Sequence, residues 1–128
     1  MKDIKARGKR TDNGEWAYGY YIAEDTKAGV RHIICFNENN LMFFPTVNPE
    51  TVGQYTRLKD DGVEDDRQEI YEGSRIEAAK NGWTREFEVI WDDDRARFIA
   101  REVGYPSIAF DLTSDNIIDL HVVVINGL

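Results

Sequence analysis

Basic and aromatic residues near the start of this chain fall in adjacent segments in a way that suits recognition chemistry. Lys2, Lys5, Arg7, Lys9 and Arg10 crowd the N-terminal segment, and Trp16, Tyr18 and Tyr20 occupy every second position of the next arm. Side chains two apart share a face of a β-strand, so the three aromatics form a stripe. Cations contact phosphates and aromatic faces stack bases, so Lys5, Arg7 and Lys9 with that stripe have the makings of a nucleic-acid platform. The competing reading is an ordinary hairpin with its aromatics packed in a core or an interface. The formal charge of −8, from 16 Lys and Arg against 24 Asp and Glu, favours that reading, because a negative domain repels phosphate backbones. Nucleic acid is therefore disfavoured as a partner.

A second cluster is acidic. Residues 60–72 carry Asp60, Asp61, Glu64, Asp65, Asp66, Glu69 and Glu72. Hard cations favour oxygen ligands, but an EF-hand loop needs acids at alternate positions and Gly at the sixth, and this spacing differs. The segment reads as a long, solvated loop over 59–68, with Asp61, Glu64, Asp65 and Asp66 offering an interaction surface.

Other chemistry is sparse. One cysteine, Cys35, and two histidines, His32 and His121, do not build a common zinc site without carboxylates. Cys35 sits in the apolar run Ile33-Ile34-Cys35-Phe36 and reads as a small buried thiol. No nucleophile elbow, P-loop or dinucleotide fingerprint occurs. The expectation is a chain with no catalytic, cofactor-binding or metal residues, no cofactor and no enzymatic activity.

The elements that would carry these groups are mostly strands. An Asn13-Gly14 turn joins residues 4–10 to the aromatic arm 15–23, and Gly19 suggests a bulge or a close backbone approach. Residues 24–29 read as a turn and 30–36 as a strand. A polar turn follows at 37–40. Pro45 then demotes 41–47 to an edge strand or a strand end. A short strand over 52–56 precedes the acidic loop. Beyond it, strands are expected at 75–79, 83–91 and 96–102, with an Asn81-Gly82 turn between the first two and an Asp92-Asp93-Asp94 turn between the others. Residues 105–111 fit no single pattern. Ser114–Asp119 suits a short helix capped by Ser114 or Asp115, and three successive valines make 121–125 a strand.

Length and composition agree with a small domain. A chain of 128 residues with 12% aromatics can bury a core. A lone cysteine forms no internal disulfide. The N-terminal segment lacks the apolar stretch of a signal peptide, and the longest aliphatic run, 122–125, is far short of a membrane span. These features predict a soluble, cytoplasmic protein with no membrane partner.

The opening Ile4-Lys5-Ala6-Arg7-Gly8-Lys9-Arg10, followed by Asn13-Gly14-Glu15-Trp16-Ala17-Tyr18-Gly19-Tyr20, resembles the start of the YopX family. So does the central segment Asn48-Pro49-Glu50-Thr51-Val52-Gly53-Gln54-Tyr55-Thr56-Arg57-Leu58-Lys59-Asp60, with Glu69-Ile70-Tyr71-Glu72-Gly73 after the loop. The resemblance covers about residues 1–103. The chain departs from the family pattern in its longer acidic turn, in Ser74-Arg75 after Gly73, and in its final residues. The resemblance implies a small phage or prophage accessory protein of the host cytoplasm. It implies no catalytic residues.

Together these readings predict a mainly β fold of two small units. An N-terminal hairpin or meander spans 1–58, an acidic loop spans 59–68, and a strongly bent sheet or SH3-like barrel spans 69–128. The predicted function is non-enzymatic, through an unknown phage- or host-encoded protein partner or through homo-oligomers. A nucleic-acid-associated role through the basic, aromatic N-terminal hairpin is the alternative. Gly53 and Gly73 would give freedom at strand ends, and Tyr71 would anchor the far end of the loop in the core.

Overall fold

Short turns set the strand lengths in the first part of the chain. A computed structural model describes residues 5–62 and 66–125. The fold is mainly β, in two antiparallel sheets, and the chain divides into two compact units, Met1–Tyr55 and Thr56–Leu128.

In the first unit β1 (Lys5–Lys9) turns through Gly14, at φ +72°, into β2 (Trp16–Thr26). The turn expected over 24–29 is shorter: β2 runs on to Thr26 and β3 (Gly29–Glu38) begins after Lys27 and Ala28. Thr26 and Gly29 close the ladder, and the Thr26 hydroxyl donates to the Gly29 carbonyl at 2.7 Å. Asn39 and Asn40 hold φ of 52° and 65° and turn the chain into β4 (Leu41–Phe43). Asparagine tolerates this left-handed region better than other side chains with a Cβ. Pro45 follows β4, which lies at the sheet edge as the proline predicts. A 3-10 turn, Pro49–Thr51, is capped by the Asn48 side chain and leads into β5 (Gly53–Lys59). The order in this unit is β4-β3-β2-β1-β5.

The chain passes from one unit to the other within β5. There Arg57 takes φ +69°, a conformation that costs an L-residue about 1–2 kcal/mol. The neighbouring Thr56 hydroxyl donates to the Ile70 carbonyl at 2.7 Å and accepts from the Leu58 amide at 3.2 Å, which fixes the bend.

The second unit holds β6 (Glu69–Tyr71), β7 (Arg75–Lys80), β8 (Trp83–Asp92), β9 (Arg97–Glu102), β10 (Tyr105–Asp111), α1 (Ser114–Asp119) and β11 (Val123–Val124). Its five-stranded sheet runs β10-β9-β8-β7-β11. The core gathers Ile70, Ile76, Phe87, Val89, Leu112 and Val122. Tyr71 is buried beside it, and its hydroxyl donates to Glu69 at 2.9 Å. Three local expectations change. The ambiguous segment 105–111 is strand β10, whose register on β9 slips between Tyr105 and Ala109, where Pro106 removes a donor. The helix is capped by Thr113, whose hydroxyl accepts from the Asn116 amide at 3.1 Å, and neither Ser114 nor Asp115 does this work. The strand expected over 121–125 keeps only Val123 and Val124, because His121 turns the chain at φ +46°. Among the described residues no helix is long and apolar enough to cross a membrane.

Candidate interaction face

The pairing of β1 with β2 brings the basic residues and the aromatic stripe together. Lys5 lies opposite Tyr20, Arg7 opposite Tyr18 and Lys9 opposite Trp16. Directly opposed residues share a face, so six side chains form three rungs on one side of the sheet. Ala6, Gly8, Ala17 and Gly19 occupy the reverse side and are buried. That reverse side is the core face: Ala6 and Ala17 pack with Ile34 and Val47, and Phe36 and Val52 close around them.

Two of the three aromatics therefore stand outside the core. Tyr18 is 46% exposed and Tyr20 48% exposed, while Trp16 is half-buried. The burial of Trp16 has a local cause. The Arg7 guanidinium lies 3.9 Å from its ring centroid and the Lys9 ammonium 5.3 Å. Cation–π contacts of this kind are worth about 0.5–1 kcal/mol each at exposed sites. Lys5 reaches the ring of Tyr55 on β5 at 5.4 Å, so the basic stripe is held between aromatics on both sides. Beyond Lys9, Arg10 donates from its guanidinium to Asp12 at 2.8 Å. That bond lowers the Asp12 pKa and raises that of Arg10.

Gly19 is required where it stands. A Cβ there would collide with the Cys35 carbonyl oxygen, the close approach its sequence position suggests. Cys35 is not the core residue expected: Ile34 fills the core, and Cys35, opposite Tyr20, is half-buried on the rung side.

Towards β4 the core face continues without cover. Tyr21, Val30, Leu41 and Phe43 follow the same alternation as Ala17 and Ile34, yet they are exposed, Val30 by 54% and Leu41 by 62%. Phe36 stacks on Phe43 with centroids 5.2 Å apart, and Tyr21 stacks on His32 at 5.9 Å with a bond between the Tyr21 hydroxyl and His32 Nδ1. Sequence reasoning missed this arm. The available signal was the run Tyr20-Tyr21-Ile22, apolar on both faces, with Leu41-Met42-Phe43-Phe44 beyond it.

The acidic loop belongs to the second unit and divides into unlike parts. Asp60 is only 4% exposed and is structural. Its Oδ1 accepts from the amides of Gly62 (3.1 Å) and Gln68 (2.9 Å), and its Oδ2 accepts from the amide of Val124 at 2.9 Å. Asp61 donates its amide to the Val122 carbonyl at 2.7 Å, and its carboxylate lies 3.3 Å from His121 Nδ1. These two residues are pinned, so a fully solvated loop from 59 onward is not what forms. Asp66 is exposed, and Glu64 and Asp65 lie outside the described residues. Among the described residues no three His, Cys, Asp or Glu side chains gather as metal ligands would.

The second unit also has an apolar hollow of about 350 Å³, lined by Trp83, Arg85, Phe87, Ile108, Phe110 and Leu120 among others. Among the described lining residues Arg85 is the one charged group, tied to buried Glu102 at 3.2 Å, and none is a nucleophile or general base. Comparison with family models, with curated proteins and with solved structures finds no match.

Proposed function

We propose that this chain is a non-enzymatic accessory protein of the YopX type. It is encoded by a phage or prophage, works in the cytoplasm of the bacterial host, and acts by protein–protein contact, first of all with a second copy of itself. The resemblance of residues 48–60 and 69–73 supports the family reading.

One observation carries the contact reading: the core face of the first sheet runs past its own cover onto Tyr21, Val30, Leu41 and Phe43. Apolar continuations of this kind mark docking surfaces. They end at β4, the last strand of the sheet, whose outer backbone groups are a template for another strand. Antiparallel pairing of β4 with β4 of a second copy is two-fold symmetric and closes on itself. It would join the two uncovered faces into one.

Sedimentation over a range of concentrations tests this. The parent chain should dimerise reversibly. Leu41→Lys and Phe43→Lys should each weaken dimerisation about tenfold or more, each tenfold being about 1.4 kcal/mol. A chain that stays monomeric at every concentration would overturn the self-association reading.

A further inference from the structure

We infer that the three rungs of the first unit bind single-stranded nucleic acid, with phosphates on Lys5, Arg7 and Lys9 and bases against Tyr18, Tyr20 and Trp16. This goes beyond self-association and does not rest on it, because the rungs lie on the opposite side of the sheet from the uncovered core face.

The first argument is placement. Aromatics carried on a sheet surface, with cations beside them, are how several single-strand binders hold unstacked bases. Here the register sets each aromatic directly across from a cation. Two of the rings expose nearly half their surface. Successive side chains on one strand face stand about 6.8 Å apart, twice the roughly 3.4 Å rise between stacked bases along a strand. That spacing suits an extended strand with opened bases, and a duplex keeps its bases stacked inside.

The second argument is charge. The repulsion expected from −8 does not originate in this unit. Residues 1–55 hold seven basic and seven acidic side chains, while residues 56–128 hold nine basic and seventeen acidic ones, so the whole −8 resides in the second unit. Neither 4–11 nor 16–23 contains an acid. The first acid along the rung side of β2 is Glu24, which faces Arg31 at 4.0 Å. The two strand segments that carry the rungs thus contribute cations and no carboxylate of their own, a composition that suits a polyanion.

The test is fluorescence anisotropy with labelled oligo(dT) and oligo(rU), a duplex of equal length, heparin and poly-glutamate, over a salt series. Single strands should bind tighter than duplex. Their affinity should fall with salt at a log–log slope of about −2, from three phosphates at about −0.7 each. Lys5→Gln/Arg7→Gln/Lys9→Gln should flatten that slope. Tyr18→Ala and Tyr20→Ala should each weaken binding about tenfold at an unchanged slope. Arg97→Gln in the second unit should change neither. Because Arg7 packs on Trp16, the triple variant is checked for folding by circular dichroism; Tyr20→Ala, at an exposed ring, tests the proposal by itself. Three results overturn the proposal: no single-strand binding at low salt; duplex or heparin bound as well as single strands, with no tyrosine dependence; or poly-glutamate bound as tightly with the same tyrosine dependence, which would assign the face to an acidic peptide.

Discussion

Replacing Asp60 removes one carboxylate that three backbone amides depend on. Gly62 and Gln68 donate to Oδ1 and Val124 donates to Oδ2, so the side chain joins both ends of the acidic loop to the strand that ends the second unit. Hydrogen bonds to a charged acceptor contribute about 1.5–3 kcal/mol each, and a buried donor left unmet costs about 1–3 kcal/mol. Water can reach the exposed Gln68 and the half-buried Gly62 and Val124, so the sum is discounted. Asp60→Ala should cost about 3 kcal/mol. Asp60→Asn keeps the Oδ1 acceptor and turns an amide group towards Val124, and should cost about half of that. With a urea m-value of about 2 kcal/mol/M, the alanine variant shifts the midpoint down by about 1.5 M. Trp83 and Trp91 belong to the second unit and Trp16 to the first. Fluorotryptophan resonances therefore follow the second unit separately. Amide exchange at Gln68 and Val124 should accelerate in the same order, Ala above Asn above parent. A Trp83 and Trp91 midpoint within about 0.3 M of the parent in Asp60→Ala would refute the reasoning, since the three bonds would then carry little.

Two further perturbations test backbone arguments. Gly19→Ala puts a methyl against the Cys35 carbonyl oxygen, an obstacle that cannot rotate away; it should destabilise the first unit by about 3 kcal/mol. Gly14→Ala, with open space but φ of +72°, should cost only about 1 kcal/mol, and equal costs in urea melts would contradict the steric account. Arg57→Gly should raise stability by about 0.5–1 kcal/mol by relieving the left-handed strain, whereas Arg57→Val should lower it by more than about 1 kcal/mol. Identical melts for the glycine and valine variants would show that φ at this position stores no strain.

Much of the strand framework was legible because its signals are local. Asn13-Gly14 and Asn81-Gly82 turn the chain where they stand, and alternation over 83–91 puts Phe87, Val89 and Trp91 on one face and Glu86, Glu88 and Ile90 on the other, of which Phe87 and Val89 are buried and Trp91 is exposed. Alternation assigns side chains to two faces but does not say which face finds cover, so it left Tyr18 and Tyr20 open between a core and an interface, and both are exposed. Cover depends on distant segments: Val47 and Val52 close over the Ala6/Ala17 side. Asp60 was illegible for a related reason. Its burial is justified by an amide 64 residues away, and nothing near Asp60 in the sequence distinguishes it from the solvated acids that follow.

The same limit applies to charge, with a consequence for function. A net charge sums over the whole chain, whereas at physiological ionic strength electrostatic influence fades over about 8 Å. The distribution over segments therefore decides what a surface attracts at contact. The seventeen acids of residues 56–128 weigh on encounter most strongly in dilute salt. Lys5, Arg7 and Lys9 act on a phosphate already at the sheet. Association with a polyanion should therefore be slowed in proportion to the second unit's charge while the bound state is held by the first unit's rungs. Neutralising acids at 92–94 should then speed association and leave the dissociation rate unchanged, whereas removing Tyr20 should raise the dissociation rate alone. That division of labour follows from the distribution of charge: residues 1–55 hold seven cations and seven acids and sum to zero, whereas 9 − 17 = −8 places the whole excess of eight acids in residues 56–128.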